Sequence, residues 1–332
     1  MTERMESATR LLSASRSEDL DEAARLVREG RVVAFPTETV YGLAALGLDE
    51  AAVARMYEAK GRPARVPLTL MVGSLADALA LWREDTPEEQ AAKGRARALG
   101  ERFWPGPLTL VSFKRRDIPD ATTGGSDRVG VRIPRHEAAL ALLSRVGAPV
   151  VAPSANPSGA LSPTRAAHVE RLLSGHIAAI LDGGPSQLGL ESTVLDVSTV
   201  PARVLRRGAL SVEEIGEIVD VAPLAPAAPP PVGPVRLVDE PALEEAWRSG
   251  DALVVRARSR AALEAALGPR AAPTATLPDD AAGFSAGVYD ALFELVAEGA
   301  PRVWLEVPPE RTRRWGALVG RLVERFGPIE AK

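Results

Sequence analysis

A proline-rich loop carries a dense group of hydrogen-bonding side chains. In residues 149–163, the hydroxyls of Ser154, Ser158 and Ser162 and the amide of Asn156 alternate with proline and glycine. Proline fixes the backbone φ angle, so these polar groups are held in nearly fixed positions from which they can hydrogen-bond an anionic or polar ligand. An ordinary polar turn has a similar composition. The pattern leaves a ligand-binding loop and an ordinary turn as alternatives.

Two cations in a short turn form a second candidate. Lys60 and Arg62 stand in a Lys-Gly-Arg-Pro sequence at the end of a helix predicted over residues 49–60. The chain has four lysines and 36 arginines, so lysine is an unusual choice of cation at this position and suggests a specific role. A compact ammonium beside a planar guanidinium suits a polyphosphate. The alternative is that both cations stabilise the C-terminal end of the helix.

Arg132 is a charged residue inside a predicted buried strand, residues 129–133. Alternation places its side chain on the face opposite its apolar neighbours. A charge in such a place needs a partner or a ligand, and Glu38 and Glu191 are the candidate partners.

Hydroxyl side chains follow two other predicted strands. Thr37 and Thr39 come after one strand in the same manner as Ser154, and Ser192 and Thr193 come after a glycine-rich turn. These hydroxyls either face a cleft or satisfy their own turns.

Composition excludes several classes of function. The net charge is −4, the isoelectric point is about 5.7 and aromatic residues make up 4% of the chain, which argues against a protein that holds nucleic acid mainly through phosphates or stacking.

No cysteine is present, so disulfides, thiol nucleophiles and thiolate metal sites are excluded. The three histidines, at 136, 168 and 176, are too few and too badly spaced for a zinc centre or a catalytic triad, and no metal site is predicted. We expect His136 and His168 to be surface or structural residues. Neither a G-x-x-x-x-G-K-[ST] nor a G-x-G-x-x-G phosphate-binding motif occurs.

The chain also lacks the signals of membrane proteins and secreted proteins. Its first residues include Glu3, Arg4, Glu6 and Arg10 with no apolar segment behind them, unlike a signal peptide. No run approaches the roughly 20 apolar residues of a membrane span. We therefore expect a cytoplasmic protein.

Hydrophobic periodicity predicts the elements that hold these side chains. Helices are predicted over residues 18–29, 49–60, 87–103, 136–146 and 163–173, and strands over residues 31–36, 67–72, 108–113, 129–133, 150–152, 178–181, 192–197 and 203–206. Helices and strands mingle without strict alternation, which predicts an α/β fold with a mixed, twisted open sheet.

A second, smaller domain is predicted after a linker. We predict a first domain over residues 13–215, a proline-rich linker over residues 216–234 and a C-terminal α/β, Rossmann-like domain over residues 235–330. In the second domain, strands are predicted over residues 235–238, 252–255 and 303–307, and helices over residues 259–267, 285–298 and 311–326.

Nine short motifs, taken in order, resemble the YrdC-like threonylcarbamoyl-AMP synthase family. They are Phe35-Pro-Thr-Glu-Thr-Val-Tyr-Gly-Leu43, Lys60-Gly-Arg-Pro63, Trp104-Pro-Gly-Pro-Leu-Thr109, Val131-Arg-Ile-Pro134, Ala152-Pro-Ser-Ala-Asn156, Ser162-Pro-Thr164, Asp182-Gly-Gly184, Glu191-Ser-Thr193 and Leu205-Arg206 with Gly208. The resemblance covers about residues 15 to 215, and the second domain is similar, more weakly, to the C-terminal domain of the longer members.

The resemblance implies a nucleotidyltransferase reaction in which L-threonine, bicarbonate and ATP give threonylcarbamoyl-adenylate and pyrophosphate. Mg²⁺ is expected to bridge the ATP phosphates. The product would supply N6-threonylcarbamoyladenosine formation at position 37 of tRNA, so tRNA would be a partner only indirectly, through downstream enzymes.

The resemblance also assigns roles to individual residues. The catalytic tetrad around the ATP phosphates would be Lys60, Arg62, Ser154 and Asn156. Further nucleotide contacts would come from Arg128, Ser162 and Arg206. Threonine would be held by Thr37, Arg132, Ser192 and the backbone of Ala152, with Arg132 taking the carboxylate.

Several positions depart from the family pattern. The linker of longer members carries a His-Tyr-Ala-Pro run that closes over the site, whereas residues 228–235 contain neither His nor Tyr. A family His falls at Met71, a nucleotide-side Thr at Arg128, and an Asn-Arg-Leu run reads Gly320-Arg321-Leu322. We expect an active enzyme that closes by another route or has a more open site; the alternative is a non-catalytic nucleotide- or RNA-binding paralogue.

Overall fold

The computed structural model describes residues 8–223, 234–239, 242–243, 246–248, 251–267, 274–308 and 313–330. Residues 8–223 contain a ten-stranded sheet, and the described residues from 234 onward contain a separate five-stranded sheet; we call these two parts the first and the second domain. Ten of the nineteen residues of the predicted linker, 224–233, lie outside the described residues, and its first residue, Gly216, ends the helix Val212–Gly216. No helix in the described ranges is long and apolar enough to cross a membrane.

The first domain contains ten strands and eight helices in its described residues. They are β1 (Arg10–Ser13), α1 (Ser17–Arg28), β2 (Val33–Phe35), β3 (Gly42–Leu46), α2 (Glu50–Lys60), β4 (Thr69–Met71), α3 (Leu75–Ala80), α4 (Pro87–Phe103), β5 (Leu108–Phe113), α5 (Asp120–Thr123), β6 (Arg128–Arg132), α6 (Glu137–Val146), β7 (Val150–Val151), α7 (Ala166–Leu173), β8 (Ala179–Asp182), β9 (Thr193–Asp196), β10 (Arg203–Arg206) and α8 (Val212–Gly216).

The predicted mixed open sheet is confirmed. Its ten strands run in the order β1-β8-β2-β3-β7-β4-β6-β5-β9-β10, with parallel pairs such as β4 and β6 beside antiparallel pairs such as β5 and β6. Two apolar clusters pack on the sheet, one containing α2 and α4 residues and the other containing α1 and α6 residues. The short strand β7 lies near the middle of the order, so the proline-rich loop that follows it begins well inside the sheet.

Local sequence signals fix helix α2 and the cationic turn after it. The side chain of Asp49 accepts hydrogen bonds from the amides of Ala51 and Ala52 and so caps the N-terminus. Gly61 ends the helix with a φ of +55°, in the left-handed region that glycine adopts at low cost. These caps place Lys60 on the last turn and Arg62 just beyond it.

The second domain is an α/β unit with a parallel sheet, as predicted. Its described elements are β11 (Val235–Val238), β12 (Ala252–Arg256), α9 (Ala257–Leu267), β13 (Thr274–Leu277), α10 (Ala281–Ala297), β14 (Val303–Glu306), α11 (Arg313–Phe326) and β15 (Ile329–Glu330). The strand order is β13-β12-β14-β11-β15, and every pairing is parallel.

The two domains share apolar packing. Val40 and Leu190 belong to the first domain, yet both are buried in the apolar cluster formed by α10, α11 and the second sheet. His168 on α7 stacks on Phe293 of α10, with the ring centroids 3.9 Å apart. Apolar burial and ring stacking therefore join the two domains.

Candidate active site

A cavity of about 480 Å³ opens in the first domain and brings most of the predicted site residues together. Eight of the eleven predicted residues line it, and they are Thr37, Arg62, Arg128, Arg132, Ala152, Ser154, Ser192 and Arg206. The remaining three do not line the cavity: Lys60 and Ser162 bond to the lining residues Ser154 and Glu191, and Asn156 bonds within the proline-rich loop.

One wall of the cavity is built around Arg132. Its Nη2 atom donates a hydrogen bond of 2.9 Å to Oγ1 of Thr39, and its Nε atom donates to the carbonyl oxygen of Gly106 at 3.2 Å. The same Nη2 lies 2.9 Å from Oε1 of Glu38, a contact that has the distance of an ion pair without the alignment of a hydrogen bond. Of the two partners considered from the sequence, Glu38 is the one that the structure shows. Arg132 thus lies against a cavity with one buried carboxylate beside it.

Thr37 completes this wall through its hydroxyl group. Oγ1 of Thr37 lies 2.9 Å from Oγ1 of Thr39 and 2.5 Å from the carbonyl oxygen of Val40, to which it donates. Both threonines are buried and both line the cavity. The sequence alone assigns no role to Thr39. Its contact with Arg132 shows that it helps to fix the orientation of the guanidinium.

Ser192 and Arg206 form a second part of the cavity lining. Arg206 donates from Nε and Nη2 to the carbonyl oxygen of Ser192, and from Nη2 to its hydroxyl at 2.9 Å. Oγ of Thr109 lies 2.9 Å from the same hydroxyl. Burial lowers the pKa of Arg206 to about 10, which leaves the guanidinium charged at neutral pH. Ser192 therefore faces the cavity rather than only satisfying its own turn.

Lys60 lies behind the proline-rich loop and secures it. Its Nζ atom donates 2.5 Å hydrogen bonds to the carbonyl oxygens of Ser154 and Asn156. These acceptors belong to the loop, so stabilisation of its own helix end does not account for Lys60. The Asn156 amide donates to the carbonyl oxygens of Pro157 and Ala160 and tightens the same loop. Burial, followed by the charge of Arg62, lowers the pKa of Lys60 to about 7.

Arg62 and Arg128 also line the cavity, and each is held by contacts of its own. Arg62 donates from Nη2 to the carbonyl oxygen of Pro67 at 3.1 Å. Arg128 donates from Nε to Oγ of Ser198 at 2.6 Å and lies over the ring of Phe113, 5.2 Å from its centroid. Both guanidinium groups are therefore positioned in advance of any ligand.

Ser162 points at Glu191, a cavity residue that the sequence reading did not assign to the site. Oγ of Ser162 donates to Oε1 of Glu191 at 2.9 Å. The other carboxylate oxygen accepts from two residues of the second domain, Tyr289 at 3.2 Å and Arg321 at 3.0 Å. From the sequence, Glu191 is a candidate only as a partner of Arg132; its position directly before Ser192 is the signal that points to the site.

The histidines lie away from the cavity lining. His168 is buried between the domains, where its Nδ1 accepts from the amide of Thr164, and burial lowers its pKa despite two nearby carboxylates. His136 is the residue before α6 and is half-buried. His168 is thus structural, as expected. Across the described ranges, no three His, Cys, Asp or Glu residues are grouped so that they could hold a metal ion.

Comparisons with known proteins agree with the motifs. The family model Sua5/YciO/YrdC, described as "Telomere recombination", matches residues 25–208. The chain is 50% identical over 196 residues to the threonylcarbamoyl-AMP synthase of Pyrococcus abyssi, which covers 59% of this chain and 56% of that protein. It is 45% identical over 195 residues to the synthase of Bacillus subtilis, covering 58% and 54%. These matches span about half the length of the curated relatives.

A structural comparison extends the similarity to both domains. The crystal structure of P. abyssi Sua5 complexed with L-threonine superposes with a TM-score of 0.82 at 33% identity and covers 98% of this chain and 100% of that one. Since the family model alone accounts for more than half of the sequence, the chain belongs to the Sua5/YciO/YrdC family.

Proposed function

We propose that this protein is a threonylcarbamoyl-AMP synthase that uses L-threonine, bicarbonate and ATP. The observation that carries the proposal is one cavity that Arg132 and two threonine hydroxyls line together with further arginines and serines. The names of the two curated relatives and the L-threonine complex of P. abyssi Sua5 support the same activity.

The Arg132 wall suits an amino acid carboxylate. A guanidinium whose orientation is fixed by Thr39, Glu38 and the carbonyl of Gly106 offers a rigid fork that matches a carboxylate. The neighbouring hydroxyl of Thr37 can hydrogen-bond a hydroxyl or ammonium group. We therefore place L-threonine against this wall, with Thr37, Ala152 and Ser192 around it.

The remaining cations suit the triphosphate of ATP. Arg62, Arg128 and Arg206 all line the cavity, and Ser154 adds a hydroxyl to the same lining. Mg²⁺ would enter with ATP as part of the substrate, bound to its phosphate oxygens. Lys60 and Asn156 would interact with the phosphates from just behind the loop. Ser162, which is hydrogen-bonded to Glu191, would also contribute to nucleotide binding.

The proposed reaction requires little proton transfer to or from the protein. The threonine amine and bicarbonate condense to a carbamate with loss of water. A carbamate oxygen then attacks the α-phosphorus of ATP, forming a P–O bond while the bond to pyrophosphate breaks. The second step needs alignment and charge neutralisation, which fixed guanidinium and hydroxyl groups provide. The product would be passed to enzymes that modify adenosine 37 of tRNA.

Pyrophosphate release is the direct test of the proposed activity. With Mg–ATP present, release should require both L-threonine and bicarbonate, and mass spectrometry should detect threonylcarbamoyl-adenylate. ATP binding without release under any combination of substrates would instead support the non-catalytic paralogue.

A variant pair tests the threonine wall. Arg132→Lys keeps the charge but loses the planar fork, so the KM for threonine should rise about tenfold or more, with the KM for ATP little changed. Arg135→Lys, on an exposed residue three positions further along, is the matched control and should behave as wild type. Equal threonine KM values in the two variants would contradict this placement of threonine.

A further inference from the structure

Three hydrogen-bond donors converge on the carboxylate of Glu191, and two of them belong to the second domain. Oε1 accepts from Ser162 of the first domain, whereas Oε2 accepts from Tyr289 of α10 and Arg321 of α11. The side chains of Glu191 and Arg321 are only 9% and 11% exposed, and Tyr289 is fully buried. A buried carboxylate with three donors has little freedom to change its rotamer.

Glu191 is directly connected to the cavity. It lines the cavity itself, and the next residue, Ser192, is the one to which Arg206 donates three hydrogen bonds. The backbone carbonyl of Glu191 also accepts from the amide of Ala209 at 3.0 Å, which ties it to the segment after Arg206. A shift of Glu191 would therefore move the Ser192–Arg206 pair and release Ser162.

The second domain also holds the turn that leads to Glu191. The hydroxyl of Ser285 donates to the carbonyl oxygen of Leu188 at 2.5 Å. Gly189, with a φ of +67°, lies so close to α10 that an added Cβ atom would be 2.1 Å from the carbonyl oxygen of Ser285. Leu190 and Val40 are buried in the apolar cluster of the second domain. The turn is thus fixed by hydrogen bonding, close backbone packing and apolar burial at once.

Arg321 compensates the negative charge of the buried Glu191 carboxylate. Burial alone would raise the pKa of Glu191, but the charges of Arg321 and Arg206 hold it well below its ordinary value, so the group is a carboxylate. An unpaired carboxylate on the wall of a site for a polyanion would repel the ligand and compete for Arg206. Arg321 neutralises this charge from outside the cavity and leaves Arg206 available.

We propose that Arg321 and Tyr289 are positioning residues of the active site, through which the second domain holds Glu191 and thereby orients Ser162 and the Ser192–Arg206 pair toward ATP. This inference rests on the proposed function for its assignment of ATP to that side of the cavity. Through Glu191, the second domain would contribute to nucleotide binding indirectly, without contacting the nucleotide itself.

The first test is Mg–ATP binding by titration calorimetry, together with the steady-state KM and kcat. Arg321→Met should raise the ATP Kd and KM about tenfold or more while kcat changes much less, since losing a charged hydrogen-bond partner is worth about that factor. Arg321→Lys should recover part of the loss. Arg171→Gln is the matched control, because it removes an exposed ion pair across the same interface, with Glu294 five residues after Tyr289 on α10, and it should bind ATP as wild type does.

A double variant separates positioning from general interface stability. If Arg321 acts by pairing with the charge of Glu191, then Arg321→Met combined with Glu191→Gln should bind ATP more tightly than Arg321→Met alone. Losses that simply add, or an Arg321→Met variant with the wild-type ATP Kd, would overturn the proposal. So would equal losses in Arg321→Met and Arg171→Gln.

Two further measurements keep the test decisive. If Arg321→Met does not fold, Tyr289→Phe removes a single hydroxyl from the same carboxylate and should still raise the ATP Kd about two- to fivefold; an unchanged value would count against the proposal. If the wild type binds ATP but releases no pyrophosphate, the synthase activity is refuted while the Kd comparison among variants still decides the role of Arg321. If the wild type binds no ATP, both proposals are overturned.

Discussion

Lys60 is a cation whose protonation is controlled by its burial. Its pKa falls to about 7 from the ordinary value of 10.5, because the ammonium loses hydration and lies near Arg62. Two loop carbonyls accept its hydrogen bonds, which either protonation state can donate. Near neutral pH the residue is thus divided between its charged and neutral forms, and an anionic ligand would favour the charged one.

We predict that ATP binding takes up a proton at Lys60 above pH 7. A bound triphosphate raises the pKa of the ammonium, so the affinity for Mg–ATP should fall as pH rises above 7, by at most about tenfold per pH unit for one proton. Calorimetric titrations at pH 6.5, 7.5 and 8.5, each in two buffers of different ionisation enthalpy, measure the uptake.

Lys60→Met provides the comparison for this prediction. The variant should bind ATP more weakly and without the pH-dependent uptake, whereas Lys93→Met, which alters a lysine paired with Glu84, should retain it. Equal proton uptake by wild type and Lys60→Met would rule out Lys60 as the titrating group. In the unfolded chain the pKa returns to 10.5, so the contribution of Lys60 to the free energy of unfolding rises with pH between about 7 and 10.5.

For single residues, the sequence predicts those that belong to local motifs but does not predict the partners that are distant in the chain. Lys60, Arg62 and Ser154 stand out because unusual residue types occur at helix ends and loops. The partners of Glu191 could not be found in this way, since Tyr289 and Arg321 lie 98 and 130 positions away from it. Such pairs depend on how the two domains dock, which no local pattern encodes.

Among the elements, the long periodic segments were predicted, whereas several short ones, including strands β1 and β3, were not. Helix α4 was predicted with its observed bounds, since proline begins it and the Trp-Pro-Gly run ends it. Strand β3 was not predicted, because Gly42–Leu46 consists of small apolar residues without alternation, and nearly all of it is buried. Strand β1 was also missed; it has four residues at the sheet edge, where exposed Leu11 weakens the pattern.

The turn before Glu191 is the element that we expect to be most sensitive to a single methyl group. Gly189→Ala would impose a left-handed φ on alanine and place a Cβ atom 2.1 Å from a backbone carbonyl oxygen of α10. We predict a loss of about 2 kcal/mol or more in the free energy of unfolding, together with a higher KM for ATP. Denaturant titration and steady-state kinetics measure the two effects.

Gly175→Ala is the matched control for this substitution. Gly175 has a φ of +80°, but nothing lies within 4 Å of an added Cβ atom, so this variant incurs the backbone cost of about 1 kcal/mol without the collision. Its ATP KM should equal that of the wild type. Similar losses in both variants would mean that the turn does not pack against α10 as tightly as described.

For the whole molecule, the relation between the domains matters more than their separate folds. Both α/β architectures were predicted from the mixture of helices and strands, but their apposition was not. Ion pairs join Arg165 to Asp290 and Arg171 to Glu294 along the interface between α7 and α10. Both pairs are partly exposed, so they contribute little stability on their own. The apolar residues buried across the interface therefore contribute most of its stability.

We predict that the two domains unfold together in one thermal transition. Val40 and Leu190 are 7% and 2% exposed within the core of the second domain, so undocking would expose them and open that core. Scanning calorimetry should show a single peak whose calorimetric and van't Hoff enthalpies agree. Val40→Ala should lower its midpoint, because it leaves a cavity in the shared core. Two well-separated peaks in the wild type would show that the interface is too weak to couple the domains, and the active site would then have to bind ATP without support from Arg321.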